Sequence, residues 1–159
     1  MTTLYVLVAV VIATTIIERV SGNPFLATGL GLIYARIHKS TEVVSEGFTN
    51  NRGGYVDTRN PFGRRLFLTD RDIKGINFDP AAITIGRVVI VERQYALQNL
   101  LRHEDGHVRQ YNKMTSLGFL LTYLYWAVVK AIKHGKGWWD NHPLEIEAED
   151  YADSFYTRL

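Results

Sequence analysis

The stretch Arg102–Gln110, RHEDGHVRQ, sets two of the chain's five histidines four residues apart, with a glutamate beside the first. Four residues make about one helical turn, so on a helix His103 and His107 stand one above the other on the same side. Leu97, Leu100, Leu101, Val108 and Tyr111 share one helical face, while Gln98, Arg102, Asp105, Arg109 and Lys113 lie opposite. This periodicity predicts a helix from about Glu92 to Met114. Glu104 falls inside the apolar arc and the two histidines fall along its edge. An ionised carboxylate turned inward is costly unless a compensating charge is near, and a bound cation supplies one.

Working upstream, RRLFLT (Arg64–Thr69) and AITIGRVVIV (Ala82–Val91) are rich in β-branched residues, and Gly86 breaks the second. They predict short strands with a tight bend, hence a small sheet. The segment Gly47–Arg65 is dense in Gly, Asn and Pro and reads as a long surface loop. Downstream, Met114–Val129 is an apolar helix flanked by Lys113 and Lys130. The aromatic run Gly137–Trp139 suits core packing, loop anchoring or a membrane interface. A final helix opens at Pro143, with Asp140 or Asn141 as its cap, and sets Glu145, Ala148, Glu149 and Ala152 on one face. Its two alanines permit close approach to another helix, with Glu145 presented to a metal.

A length of 159 residues suits one folded domain, and 47% apolar with 21% charged residues excludes wholesale disorder. A net charge of +2 provides no field for nucleic acid, and one RGG at Arg52–Gly54 does not change that. With no cysteine, a metal site must be built from His, Asp or Glu. The first 17 residues carry no charge before Glu18 and Arg19. Their length is at the short end for a membrane span, and no basic leader precedes them, so an uncleaved anchor fits better than a signal peptide. A buried helix or strand is the competing reading. After the turn signal Ser21–Pro24 comes a second apolar stretch, Pro24–Ala35. The chain thus divides into an apolar N-terminal helical segment, residues 1–40, as candidate membrane anchor, and a domain of residues 41–159 that carries the site.

The pattern His103-Glu104-x-x-His107 lets two imidazoles reach one Zn²⁺ and aims Glu104 at an attacking water. By composition it arises by chance about once in a hundred such chains, so a third ligand has to be found. Glu145 is the candidate, with Glu147 or His142 as substitutes. The competing reading is a solvated acidic first turn, where the helix dipole favours Glu145, Glu147, Glu149 and Asp150 in any case. Glu149, one turn on, is placed to accept a hydrogen bond from a ligand imidazole.

HEDGH followed by EIEAEDYA (Glu145–Ala152) resembles the gluzincin-type zinc metallopeptidases, whose HExxH is completed by a glutamate on a later helix, often as ExxADxxA. VRQY after the second histidine and ITIGRVVIV before the helix are also similar to small peptidase domains of this kind. The likeness spans about Ile83–Ala152. It implies a zincin-like, mainly helical α+β fold with a small sheet packed on the HExxH helix. It further implies His103, His107 and Glu145 as zinc ligands, Glu104 as general base, Glu149 in the place of the family's supporting aspartate, and a zinc metalloendopeptidase acting on a peptide or protein substrate. Two departures stand out: glutamate for aspartate at 149, and Leu144 where thermolysin-like enzymes carry asparagine. For the oxyanion donor the candidates are Tyr151 and His142. The strand Ile83–Val91 is placed to bind an extended peptide by edge pairing. Two other classes compete: a zinc-stapled binding or structural protein without hydrolysis, and a membrane or assembly component that holds no metal.

Overall fold

Val88–Glu92 is buried along its whole length, because it is the inner strand of a sheet covered on both faces. The computed structural model describes residues 2–50, 52–59, 62–73, 80–135 and 141–154. Among them the chain is mainly helical α+β, with four helices, a four-stranded mixed sheet and a two-stranded sheet. In chain order these are α1 (Thr2–Ser21), α2 (Phe25–Ile37), β1 (Thr41–Glu42), β2 (Gly47–Thr49), β3 (Tyr55–Asp57), β4 (Arg65–Thr69), β5 (Ala82–Ile85), β6 (Val88–Glu92), α3 (Gln98–His134) and α4 (Pro143–Asp153).

The large sheet runs β1-β4-β6-β5, with β4 parallel to β6 and the two outer strands antiparallel to their neighbours. Alternation along its strands splits the core in two. Leu66, Leu68, Val89 and Val91 pack towards Leu101 and Val108 of α3, while Phe67, Val88 and Ile90 pack towards Ala35 of α2. The sheet is therefore the middle layer between α2 and α3. Gly86 turns β5 into β6 at φ +66, and a Cβ there would meet the Thr28 backbone nitrogen at 2.3 Å, so only glycine admits this seat against α2.

Several sequence expectations need correction. The helix begins at Gln98, not near Glu92: the β-branched run carries β6 to Glu92, paired with Thr69, and a short 3-10 turn, Arg93–Tyr95, follows. Glu92 is satisfied there, accepting from the Ile73 amide at 2.7 Å. The expected loop Gly47–Arg65 contains the β2–β3 hairpin. Its tip is closed by Asn50, whose Oδ1 accepts from the amides of Arg52 at 3.0 Å and Gly54 at 2.9 Å. Asp105, expected on the face opposite the apolar arc, is buried, because Arg64 and this hairpin cover that face. Gly137–Trp139 and Asp140 lie outside the described residues.

The apolar stretch after Met114 is helical as expected, but it leaves the first helix at a sharp break. Thr115 has φ 69 and ψ 167, and the chain resumes as helix at Ser116. Glu18 of α1 explains why the break holds. Its buried carboxylate accepts from the Ser116 amide and hydroxyl, both at 2.7 Å, and from the Leu26 amide at 2.9 Å. It thus satisfies the free N–H groups at two helix starts, of α2 and of the second half of α3, where the dipoles favour an anion.

Candidate metal centre

Two helices supply the site, and a glycine brings them together. Gly106 faces Ala148, and a Cβ added to it would stand 2.8 Å from the Ala148 Cα. With Ala148 and Ala152 also buried, α4 lies directly on the histidine-bearing turn of α3. Gly106→Ala gains about 1 kcal/mol of helix propensity, yet overpacking costs about 1–3 kcal/mol and pushes α4 outward. The expected outcome is a lower urea midpoint and weaker binding of a divalent cation together, measured on the same sample.

On that contact His103 Nε2 and His107 Nε2 each stand 3.3 Å from Glu145 Oε2. One donor atom from each of the three residues lies within 4.8 Å of the other two, which is the spacing that could hold a metal ion. The other ring nitrogens are already committed. His103 Nδ1 donates to Glu149 Oε2 at 3.0 Å, since a carboxylate only accepts. Gln110 Nε2 donates to the Leu144 carbonyl at 2.8 Å, which leaves Gln110 Oε1 to accept from His107 Nδ1 at 2.9 Å. Both imidazoles therefore aim Nε2 at one point. Hydrogen bonds of this kind fix the tautomer and raise the basicity of metal-ligating histidines.

The charges agree with that geometry. Burial alone would lower the His107 pKa, but the hydrogen bond and charge of Glu145 raise it to about 9. His103 moves upward for the same reason, against its burial. Burial pushes the Glu145 carboxyl up, yet the hydrogen bonds from His103 and His107 hold it at about 2. A cation must displace the protons these imidazoles hold. Affinity for a divalent cation is therefore expected to climb with pH up to about 9, where His107 loses its proton, and to flatten above. Calorimetric titration near neutral pH, in two buffers of different ionisation enthalpy, should show proton release on uptake of a divalent cation.

Glu104 is buried as expected, and its Oε2 accepts from the Thr84 hydroxyl of β5 at 2.5 Å. Its charge is felt at both histidines. Glu147 instead faces Lys113 at 3.6 Å and Gln110 at 3.2 Å. A cleft of ≈ 500 Å³, lined by Asn99, Leu100, His103, Glu149, Ala152 and Asp153, opens beside the His103–Glu149 pair.

The two candidate oxyanion donors are placed elsewhere. His142 Nδ1 accepts from the Leu144 amide at 3.2 Å and its Nε2 donates to the Tyr123 carbonyl at 3.1 Å. It is the cap of α4, the role expected of Asp140 or Asn141. Tyr151 lies about 120° around α4 from Glu145. Its ring lies tilted against Phe62, centroids 5.8 Å apart, and under the Arg109 guanidinium. The residue that sequence reasoning missed is Tyr123, whose hydroxyl donates to Glu145 Oε1 at 3.0 Å. Phe119 sits beside it, 6.2 Å from the His107 ring. No local pattern marks Tyr123, because it reaches the centre only through the break at Thr115. Gly106, in contrast, carried a signal: an isolated glycine inside a helical pattern often marks close approach.

No protein-family model matches the chain, and neither a curated protein nor a solved structure shows significant similarity to it.

Proposed function

We propose that the chain is a zinc-dependent hydrolase that cleaves peptide bonds, with His103, His107 and Glu145 as the metal ligands. The observation that carries this reading is the convergence of the two Nε2 atoms on Glu145 Oε2, with each Nδ1 already tied down. Two imidazoles and one carboxylate are the three protein ligands of a catalytic zinc site, against four in a closed structural one. Zinc, when bound, supplies a Lewis acid at that point.

The chain's own groups supply the rest. Glu104, held by Thr84, takes the proton of the attacking water and delivers it to the leaving amine. Tyr123 directs its hydroxyl into the centre and is the donor for the developing oxyanion. β5 is an outer strand of the sheet next to Glu104, so an extended peptide adds to it by main-chain pairing.

A second reading, a zinc staple without hydrolysis, is favoured by the same bridge: Glu145 ties α4 to α3, so a bound ion would fasten the two helices whether or not it reacts. The test is cleavage of an unstructured peptide mixture by the purified chain. The hydrolase reading expects products that vanish with a chelator and return with zinc. Stoichiometric zinc without products would leave the staple.

A further inference from the structure

We propose that α1, the outward face of α2 and the half of α3 beyond Thr115 are embedded in a lipid bilayer, so that the candidate metal centre stands at a membrane surface.

The exposed side chains carry the inference. Of the large hydrophobics exposed among the described residues, all but Val44, Tyr55, Tyr95 and Ile146 lie on these three helices. A water-soluble monomer rarely leaves so much contiguous apolar surface uncovered. In α2 the usual arrangement is inverted. Its small residues Ala27, Gly31 and Ala35 face inward, while Leu26, Leu30, Ile33 and Ile37 face out. A helix that meets water on its outer face carries polar residues there.

Length and charge point to a bilayer as the occupant. α1 has 20 residues, about 30 Å at 1.5 Å per residue, and no charge before Glu18. That equals the hydrocarbon thickness of a typical membrane, roughly 30 Å. An 18-residue stretch of α3 is apolar enough to cross one, and only 11% of that stretch is buried. No charge falls between Lys113 and Lys130. At its far end the Lys130 ammonium lies over the Trp126 ring, 5.7 Å from the centroid, a pairing suited to the lipid–water interface. A second copy of the chain fits less well. It would cover one face, whereas Val10, Val11 and Ile12 of α1 point in three directions about 100° apart and all are exposed.

The three helices meet at one point, the Glu18 carboxylate, which binds the starts of α2 and of the second half of α3. From there Phe119 and Tyr123 turn inward to the metal centre, while Leu120, Leu121 and Leu124 turn outward. One helix thickness thus separates the centre from lipid.

The chain has no cysteine, which makes a clean test possible. Single variants Ile12→Cys, Ile33→Cys and Leu124→Cys, with Val44→Cys as the exposed apolar control, are labelled with a polarity-sensitive fluorophore. The full chain is then reconstituted into phosphatidylcholine–phosphatidylglycerol vesicles. The proposal expects the first three labels to be quenched several-fold more than Val44→Cys by nitroxide-bearing lipid, and to be shielded from aqueous dithionite. Bleaching of all four at one rate would overturn it, as would failure of the chain to float with the vesicles. Labels shielded from dithionite yet unquenched by the lipid would also overturn it, in favour of contact between copies.

Discussion

Replacing Glu104 by glutamine is expected to leave zinc bound at one per chain while peptide cleavage falls about a hundred- to ten-thousand-fold, the contribution typical of a positioned general base. The substitution keeps the size of the side chain, and its amide oxygen still accepts from the Thr84 hydroxyl, so β5 and α3 should keep their contact. What disappears is the capacity to take a proton. Zinc should stay because Glu104 is not among the three converging donors. Turnover and metal content measured on one preparation read both halves of this expectation. Unchanged cleavage would remove Glu104 from the mechanism, and loss of zinc would make it a ligand.

Arg64→Met should cost about 3 kcal/mol of folding stability, because it takes the nearest cation from a buried carboxylate that then faces Arg102 at 4.0 Å. Arg64 Nη1 lies 2.6 Å from Asp105 Oδ1, and both side chains are 1% exposed. Arg64 also donates to the Thr58 carbonyl at 3.1 Å, so it clamps the β2–β3 region against the histidine helix. Even with Arg64 present, burial raises the Asp105 pKa to about 6. Without it, the folded value rises further above that of the unfolded chain. A carboxyl with a raised folded pKa favours the folded state as pH falls through that value, so the variant should recover stability in acid. Urea denaturation at mildly acidic and mildly alkaline pH measures this. The double change Arg64→Met with Asp105→Leu should restore most of the loss at either pH.

What the sequence made legible was what depends on local spacing. His103 and His107 sit one turn apart on a helix, and that helix exists because Leu97 to Tyr111 repeat with its period. Glu145 lies at the start of the last helix, where Pro143 marks the first turn. Glu149 falls one turn further, within hydrogen-bond reach of His103. The strands around Gly86 follow from alternation and a bend only glycine accepts. What stayed hidden depends on contacts between distant positions. The Glu18–Ser116 bond spans 98 residues, and it sets the break that carries Tyr123 back to Glu145. The burial of Asp105 needs Arg64, 41 residues earlier. The β2–β3 hairpin was obscured by composition, because Asn and Gly close its tip as readily as they fill a loop.

One cation shared by α3 and α4 would be seen directly by anomalous diffraction at the zinc absorption edge, from crystals of the zinc-loaded full chain. A single strong peak is expected about 2.0–2.2 Å from His103 Nε2, His107 Nε2 and a Glu145 carboxylate oxygen together. Absence of a peak there, or a peak that leaves any of those three atoms out of coordination range, would contradict it.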